Sequence, residues 1–260
     1  MRRRHEMPFG AEVGESGVRF ALWAPAANGV DLALGDGGTL PMTREEGGLY
    51  TATARHAAPG DRYRYLVDGE HEVPEPASRY QPGDAHGPSE IIDPEGFGWE
   101  DGGWRGRPWE EAALYELHVG AFSPEGTFSG VEGRLDHLAD LGVTGIELMP
   151  VSDFPGRRNW GYDGVLPFAP DSAYGRPEDL KSLVQAAQGR GLMVFMDVVY
   201  NHFGPGDLDL WQFDGWQEND GGGIYFYNDH RAQTPWGATR PDYGRPEVRG
   251  FLRDSATLWL

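Results

Sequence analysis

Hydrophobic and polar positions alternate with a period of two along the first part of the chain. Three runs show the alternation: Val18, Phe20 and Leu22; Val30, Leu32 and Leu34; and Tyr63, Tyr65 and Val67. Successive side chains of a β-strand point to opposite faces, so each run predicts a strand with one buried face. Turn-forming sequences rich in glycine and proline separate these runs at short intervals. We therefore predict an antiparallel all-β sandwich over residues 1–73.

Residues 74–108 are rich in proline and glycine and show little periodicity, so we predict a linker there. Beyond it, apolar runs predict strands over residues 113–119 and 143–149. The next apolar run, residues 192–196, has no polar position, which predicts a strand buried on both of its faces.

Helical spacing fills the intervals between these strands. The pattern predicts a helix over residues 131–141, with one apolar stripe formed by Leu135, Leu138 and Leu141. A second helix is predicted from Pro177, which suits a first helical position, and glycine ends it at position 189. A third pattern runs from Pro246 to Leu260 without a capping glycine or a basic last turn, so we expect the sequence to stop inside a helix.

Alternating strands and helices indicate either a barrel or a doubly wound parallel sheet. No glycine-rich phosphate loop follows the first strand, and the long loops follow strands whereas the short loops follow helices. Both observations favour the barrel. We predict that residues 109–260 form the first three strand–helix units of a (β/α)8 TIM barrel, interrupted before strand four. Three units cannot close a barrel, so we expect exposed strand edges that would make the isolated chain prone to aggregate or to fold poorly.

Composition narrows the range of partners. Lys and Arg number 22 against 41 Asp and Glu, a formal net charge of −19, which disfavours nucleic acid and anionic membranes and favours a neutral substrate. The chain has no cysteine, which excludes thiol catalysis and thiolate metal sites, and no apolar run long enough to span a membrane. The basic residues 2–4 are not followed by the apolar core of a signal peptide, so we expect a cytoplasmic protein.

Candidate chemistry lies in the loops that follow the second and third strands. Residues 159–164 read Asn-Trp-Gly-Tyr-Asp-Gly, a tight turn in which Trp160 and Tyr162 could stack on sugar rings, or could be packing residues only. Residues 197–202 read Asp-Val-Val-Tyr-Asn-His at the end of the third strand. His202 there could donate to a sugar hydroxyl, or the polar group could simply cap the strand.

Two other chemistries are disfavoured. The histidines lie on separate elements without zinc-binding spacing, and no Gly-x-Ser-x-Gly nucleophile elbow is present.

Taken together, these segments resemble the α-amylase superfamily of glycoside hydrolases, and within it the enzymes that release trehalose from maltooligosyltrehalose. The resemblance rests on residues 197–202 and on five further segments in order, 115–127, 147–151, 159–164, 174–179 and 234–237. Residues 20–25 also resemble the immunoglobulin-like amino-terminal sandwich of these enzymes. Branching and debranching enzymes share the sandwich and the Trp-Gly-Tyr turn more loosely, and they remain alternatives, as does a non-catalytic α-glucan-binding module.

The resemblance implies roles for individual residues. Tyr162 would stack on the sugar next to the scissile bond and His202 would contact that sugar, with Trp160 and Asp163 also binding substrate. Asp197 would support the catalytic centre and Asn201 would hold the loop. Asn201 matches a calcium-ligating position of classical members, but no further ligand can be matched, so we predict no metal and no cofactor.

The resemblance assigns no catalytic residue to this chain. The family's aspartate nucleophile and glutamate acid follow the fourth and fifth barrel strands, and the nucleophile's Gly-x-Arg-x-Asp motif does not occur here. Glu116 and Glu147 are expected within strands, where we expect a structural or supporting role and not a catalytic one. We therefore expect residues 1–260 to bind an α-glucan such as maltooligosyltrehalose without cleaving it.

Overall fold

The computed structural model describes residues 7–35, 37–204, 211–218 and 221–260, so the basic residues 2–4 lie outside the described part. The strands are β1 Glu12–Gly14, β2 Gly17–Trp23, β3 Val30–Leu34, β4 Thr39–Pro41, β5 Thr43–Arg44, β6 Leu49–Ala54, β7 Arg62–Val67, β8 His71–Val73, β9 Ser89–Glu90, β10 Leu114–Leu117, β11 Gly145–Leu148, β12 Ser152–Asp153, β13 Leu166–Pro170, β14 Met193–Met196, β15 Gln217–Glu218 and β16 Gly221–Gly222. The α-helices are α1 Val119–Phe122, α2 Phe128–Glu132, α3 Leu135–Leu141, α4 Pro177–Gly189 and α5 Pro246–Trp259.

The first region contains two antiparallel sheets, with strand orders β1-β2-β6-β5 and β4-β3-β7-β8. Their alternating apolar side chains meet in one core, where Phe20, Leu32 and Tyr65 are fully buried. The predicted period-two runs are therefore strands β2, β3 and β7, each with its apolar face turned inward.

Segment 74–108, predicted as a linker, packs closely over its first half. Residues 75–81 are buried, and β9 pairs antiparallel with β7 of the sandwich. Two arginines join the sandwich to the rest of the chain. The Arg79 guanidinium lies 3.4 Å from the Glu12 carboxylate and over the ring of Phe168 on β13. Arg176, just before α4, lies 2.6 Å from the Glu90 carboxylate on β9.

The second region is built on a parallel sheet of order β10-β11-β14. The three strands are in register, with Glu116 opposite Glu147 and Glu147 opposite Phe195. Helix α4 spans the interval predicted from Pro177, and α5 spans the pattern predicted from Pro246, so both predictions are confirmed. The predicted strands are also present, each shorter than the sequence run that indicated it.

Two expectations about this region are wrong. The interval 131–141 holds two short helices rather than one, and Leu141 is 59% exposed because α3 ends there, before Gly142 turns the chain with a left-handed φ of 91°. Strand β14 is only half-buried along its length, because β11 is its one pairing partner among the described residues and its other edge is not covered by a strand.

Within the described ranges, no helix combines the length and the apolar character required to cross a membrane.

Glu75 is a buried carboxylic acid in the sandwich core. Its Oε2 accepts a hydrogen bond from the Tyr65 hydroxyl, and its Oε1 accepts one from the Ala77 N–H at 3.0 Å. Burial raises the pKa of Glu75 from 4.5 to about 7, although both hydrogen bonds and the Arg79 charge act in the opposite direction. The folded protein therefore retains this proton at a pH where the unfolded chain has already lost it.

We predict that Glu75→Gln flattens the pH dependence of stability. Because the folded pKa exceeds the unfolded one, the wild type loses stability as the pH rises from about 4.5 to about 7, by on the order of 3 kcal/mol from this group. Glutamine does not ionise, so urea unfolding at pH 5 and pH 8 should show the variant gaining stability relative to wild type at the higher pH. Glu70→Gln, on an exposed turn, is the matched control and should leave the decline unchanged. An equal decline in Glu75→Gln and wild type would contradict the prediction.

Candidate functional site

The candidate residues lie in loops at one edge of the parallel sheet. Strands β10, β11 and β14 run in the same direction, so the loops that follow them leave from a common edge. The loop after β10 begins at His118, the loop after β11 carries residues 159–164, and the loop after β14 begins at Asp197. Loops at the carboxyl ends of parallel strands form the active sites of α/β barrels.

The turn at 159–164 is held rigidly by one side chain. The Asn159 Oδ1 accepts hydrogen bonds from the N–H groups of Gly161 at 2.8 Å and Asp163 at 3.4 Å, while its Nδ2 donates to the Asp163 carboxylate at 3.2 Å. The Asn159 carbonyl oxygen lies 2.7 Å from the His118 Nε2. Asp163, predicted to bind substrate, therefore has its carboxylate engaged within the turn.

Gly161 is required by the geometry of this turn. Its φ is +101°, and a Cβ at this position would lie 2.3 Å from the Pro150 carbonyl oxygen. A side chain here would meet both backbone strain and a clash with backbone that cannot move aside.

Tyr162 and Asp197 come from two different loops and meet at the rim. The Tyr162 hydroxyl donates a hydrogen bond to the Asp197 Oδ2 at 3.0 Å, while the residue stays 39% exposed. Burial, the hydrogen bond to Asp197 and the negative charges of Asp197, Glu116 and Glu147 all raise the pKa of Tyr162. The phenol therefore stays protonated and continues to donate, which fixes the orientation of its ring.

Glu116 and Glu147 lie side by side on neighbouring strands, and the charges of both raise the pKa of Tyr162. They face each other in register on β10 and β11, and neither has an ion-pair partner in the described part of the chain. The expectation that both lie within strands is confirmed. Together with Asp197 they make this end of the sheet strongly negative.

His202, which was predicted to contact the sugar, is buried beneath an aromatic ring. It is 4% exposed, and the Trp236 ring stacks on the imidazole with centroids 4.8 Å apart and an angle of 19° between the planes. Its Nδ1 lies 3.0 Å from the Asn201 Oδ1. Asn201 thus holds one ring nitrogen, and Nε2 is the nitrogen left for a ligand.

The loops after β11 and β14 touch each other next to these residues. The Gly204 N–H donates to the Gly164 carbonyl at 3.1 Å, and a Cβ on Gly204 would lie 2.3 Å from the Asp163 carbonyl oxygen. Thr239 joins the loop after β14 to the segment that carries Trp236, because the Thr239 hydroxyl donates to the Phe203 carbonyl at 2.6 Å. The turn bearing Tyr162 and the loop bearing His202 therefore form one continuous rim.

Sequence reasoning missed the role of Asp84. Both carboxylate oxygens of this residue accept a hydrogen bond from the Gly156 N–H, at 3.2 and 3.3 Å, and so hold the start of the loop that carries Tyr162. Asp84 itself adopts a φ of 152°, which residues other than glycine rarely adopt. No local signal could reveal this contact, because 72 positions separate its partners.

Two further carboxyl groups lie beneath the same loop. Asp171 accepts a hydrogen bond from the Phe154 N–H at 3.2 Å, and burial raises the pKa of Asp171 to about 6. Asp153 is 1% exposed, and neither of its oxygens has a hydrogen-bond partner among the described residues. Burial raises its pKa well above the ordinary value, and the negative charges of Asp171 and Asp84 add to the effect, so Asp153 is held in its neutral form.

Among the residues that the structure describes, no three His, Cys, Asp or Glu side chains lie together in a way that could hold a metal ion.

Comparison with known families places two domain types along the chain. Residues 8–94 match the model of carbohydrate-binding module 48, the isoamylase N-terminal domain. Residues 78–234 match the model of the alpha amylase catalytic domain. The second match contains the turn at 159–164, the Asp197 to His202 segment and the start of the segment that carries Trp236.

Individual proteins are similar over nearly the whole chain. The malto-oligosyltrehalose trehalohydrolase of Saccharolobus solfataricus is 43% identical over 256 residues, which are 98% of this chain and 44% of that protein. A candidate alpha amylase from Salmonella typhimurium superposes with a TM-score of 0.89 at 40% identity, covering 98% of this chain and 42% of that one. A pullulanase from Anoxybacillus sp. LM18-11, complexed with maltotetraose, superposes with a TM-score of 0.81 at 25% identity, covering 99% and 44%. The chain spans less than half of the length of each of these proteins.

We predict that Gly161→Ala destabilises the rim. The added methyl group meets the Pro150 carbonyl oxygen at 2.3 Å in a backbone conformation unfavourable to alanine, at a cost of about 1–3 kcal/mol or more. Thermal unfolding should show a lower Tm than wild type. Gly98→Ala is the matched control, because its added methyl group has no neighbour within 4 Å and its φ is not positive; its Tm should stay within error of wild type. Equal Tm values for the two variants would show that the turn is not held as described.

Proposed function

Because this chain belongs to the α-amylase family, we propose that it forms the glucan-binding rim of a glycoside hydrolase. The reaction is hydrolysis of the α-1,4 bond next to the trehalose end of maltooligosyltrehalose, which releases trehalose. The relative from Saccharolobus solfataricus is named for this activity and is 43% identical to this chain, which supports the assignment. The protein would act in trehalose biosynthesis. Residence in the cytoplasm stays a prediction.

The architecture that we propose is a partial barrel joined to a sandwich. Strands β10, β11 and β14, with the helices that follow them, are the first three units of a (β/α)8 barrel. Residues 1–73 form an immunoglobulin-like sandwich and residues 74–108 connect it to the barrel. The parallel order of the three strands and the long loops at their carboxyl ends support this arrangement.

The hydrogen bond between Tyr162 and Asp197 carries the functional proposal. It holds the phenol ring at the rim with part of its face exposed, so the ring is ready to stack on the apolar face of a pyranose before the sugar arrives. A preorganised aromatic surface loses little entropy on binding. The maltotetraose complexed with the pullulanase from Anoxybacillus sp. LM18-11 supports an α-glucan as the ligand.

The other rim residues take roles that agree with their contacts. His202 offers Nε2 to a sugar hydroxyl, with Asn201 on its Nδ1 fixing the orientation of the ring. Asp197 positions Tyr162 and supports the reaction centre. Trp160 contributes exposed aromatic surface, while Asp163 binds substrate only as part of the turn that presents it.

Cleavage requires more than this rim. A retaining glycosidase uses two carboxyl groups about 5 Å apart, one as the nucleophile and one as the acid. The nucleophile's Gly-x-Arg-x-Asp motif does not occur in residues 1–260. Stacking on Tyr162 and a hydrogen bond from His202 stabilise the bound ground state, and binding of this kind does not by itself accelerate the reaction.

A second candidate function is favoured by one observation. Residues 8–94 match a carbohydrate-binding module, so the chain could bind α-glucan without any associated hydrolysis. Branching or debranching activity is a further alternative, which the similarity to a pullulanase supports. Incubating longer forms of the protein with maltooligosyltrehalose distinguishes these functions, since trehalose appears only in the first case.

We predict that Tyr162→Ala weakens the binding of maltotetraose about tenfold or more, because the stacking surface is lost. Tyr162→Phe keeps the ring but removes the hydrogen bond to Asp197, so its loss should be smaller. Isothermal titration calorimetry measures both. Trp99→Ala is the control, since Trp99 is equally exposed at 38% and contacts Phe97 away from the rim. Unchanged affinity in Tyr162→Ala would refute the assignment of this rim.

We also predict that residues 1–260 alone release no trehalose from maltooligosyltrehalose, because the chain lacks the nucleophile's motif. Chromatography of the reaction mixture after prolonged incubation tests this. Detection of trehalose at levels proportional to protein concentration would show that carboxyl groups of this chain suffice for hydrolysis.

A further inference from the structure

The loop that carries Tyr162 is fixed at one point on each side of residues 155–158. Before them, the ring of Phe154 is fully buried in the core of the second region. After them, the Asn159 carbonyl oxygen lies 2.7 Å from the His118 Nε2. The conformation of the loop between these points depends on what contacts residues 155–158 make.

The main chain of residues 155–158 is held by one side chain. Pro155 has no N–H to donate, and within the described ranges the bifurcated bond from the Gly156 N–H to Asp84, at 3.2 and 3.3 Å, is the one hydrogen bond that this stretch of main chain forms. Without it, several backbone angles would have to be fixed when a ligand binds, and that ordering reduces affinity. Asp84 fixes the stretch in advance.

Asp84 projects from a turn built around a buried glutamine. The Gln81 Nε2 donates to the carbonyl oxygens of Ala85 and Gly87, both at 3.0 Å. Its Oε1 accepts a hydrogen bond from the Ser78 hydroxyl at 2.9 Å, and the side chain is fully buried. The Gly87 N–H donates to the Asp84 carbonyl at 2.7 Å, and the Asp84 Oδ1 accepts from the Ala85 N–H at 2.7 Å. The carboxylate is thus presented by a fixed backbone.

The backbone of Asp84 is strained in a way that glycine would relieve. Its φ of 152° lies in a region that is essentially restricted to glycine, and such strain persists where the surrounding structure or a function sustains it. Glycine at this position would fit the turn without strain. It would lack only the carboxylate, whose one contact outside the turn, among the described residues, is the Gly156 N–H.

We infer that Asp84 is a positioning residue for glucan binding. It fixes residues 155–158, so that the loop presents Trp160 and Tyr162 in the binding arrangement before the sugar arrives. This inference rests on the proposed function of the rim. It gives the segment between the sandwich and the parallel sheet a part in substrate affinity, and the local strain at Asp84 is offset by tighter binding.

Three variants of Asp84 separate the anchor from the strain. Asp84→Gly and Asp84→Ala both remove the carboxylate, so both should bind maltotetraose about threefold to tenfold more weakly by isothermal titration calorimetry. Only glycine relieves the φ, so the Tm of Asp84→Gly should exceed that of Asp84→Ala. Asp84→Asn retains an acceptor oxygen and should retain most of the affinity. Hydrogen exchange at the Gly156 amide should be faster in the first two variants than in Asp84→Asn.

Asp68→Gly is the matched control. Asp68 also has a positive φ, 52°, and its carboxylate accepts hydrogen bonds from the N–H groups of Asn28 and Gly29, at 2.7 and 2.9 Å, within the sandwich. This variant should bind maltotetraose as tightly as wild type. An equal loss of affinity in Asp68→Gly and Asp84→Gly would overturn the positioning role.

Two further results would also overturn it. One is wild-type affinity in Asp84→Gly; if Tyr162→Ala weakened binding in the same experiment, the positioning role would fall and the rim would stand. The other is affinity that follows the Tm across the three Asp84 variants and not the presence of an acceptor oxygen. A wild-type chain that bound no maltotetraose would overturn the proposed function together with the positioning role.

Discussion

The parallel register of β10, β11 and β14 is the constraint on which the candidate site depends. Main-chain hydrogen bonds between these strands bring their carboxyl ends to one edge, although the loops that follow are far apart in sequence. Tyr162 and Asp197 are 35 positions apart, and they meet because their strands are neighbours. The same register places Glu116 beside Glu147 and concentrates negative charge that acts on the Tyr162 phenol. Ordinary sheet pairing thus produces both the geometry and the electrostatics of the rim.

Much of the fold could be predicted from periodicity. The alternation at Val18, Phe20 and Leu22 predicted a strand because a half-buried strand leaves a period-two pattern in any sequence. Pro177 predicted the start of α4 for a similarly local reason. The prediction of one helix over 131–141 was wrong because the apolar spacing continues across Gly133 and Arg134, where the structure ends α2 and begins α3.

The candidate site was less predictable, because its decisive contacts join distant positions. Tyr162 and Asp197 could be nominated from their motifs, but nothing in either motif shows that they form a hydrogen bond. The stacking of Trp236 on His202 and the anchoring of Gly156 by Asp84 depend on how separate loops fold against one another. Such contacts have no sequence period. They depend on tertiary packing, which a single sequence does not reveal.

The anchoring role of Asp84 has a consequence for how this architecture tolerates recombination. Its carboxylate holds the loop that presents Tyr162, yet Asp84 follows the sandwich strands and lies just before β9, which completes one of their sheets. Exchanging the amino-terminal module at this boundary would therefore remove a contact that holds a loop of the second module. A chimaera that took its amino-terminal module from another protein would keep the loop that presents Tyr162 anchored only if the transplanted piece brought an equivalent carboxylate to the position of Asp84.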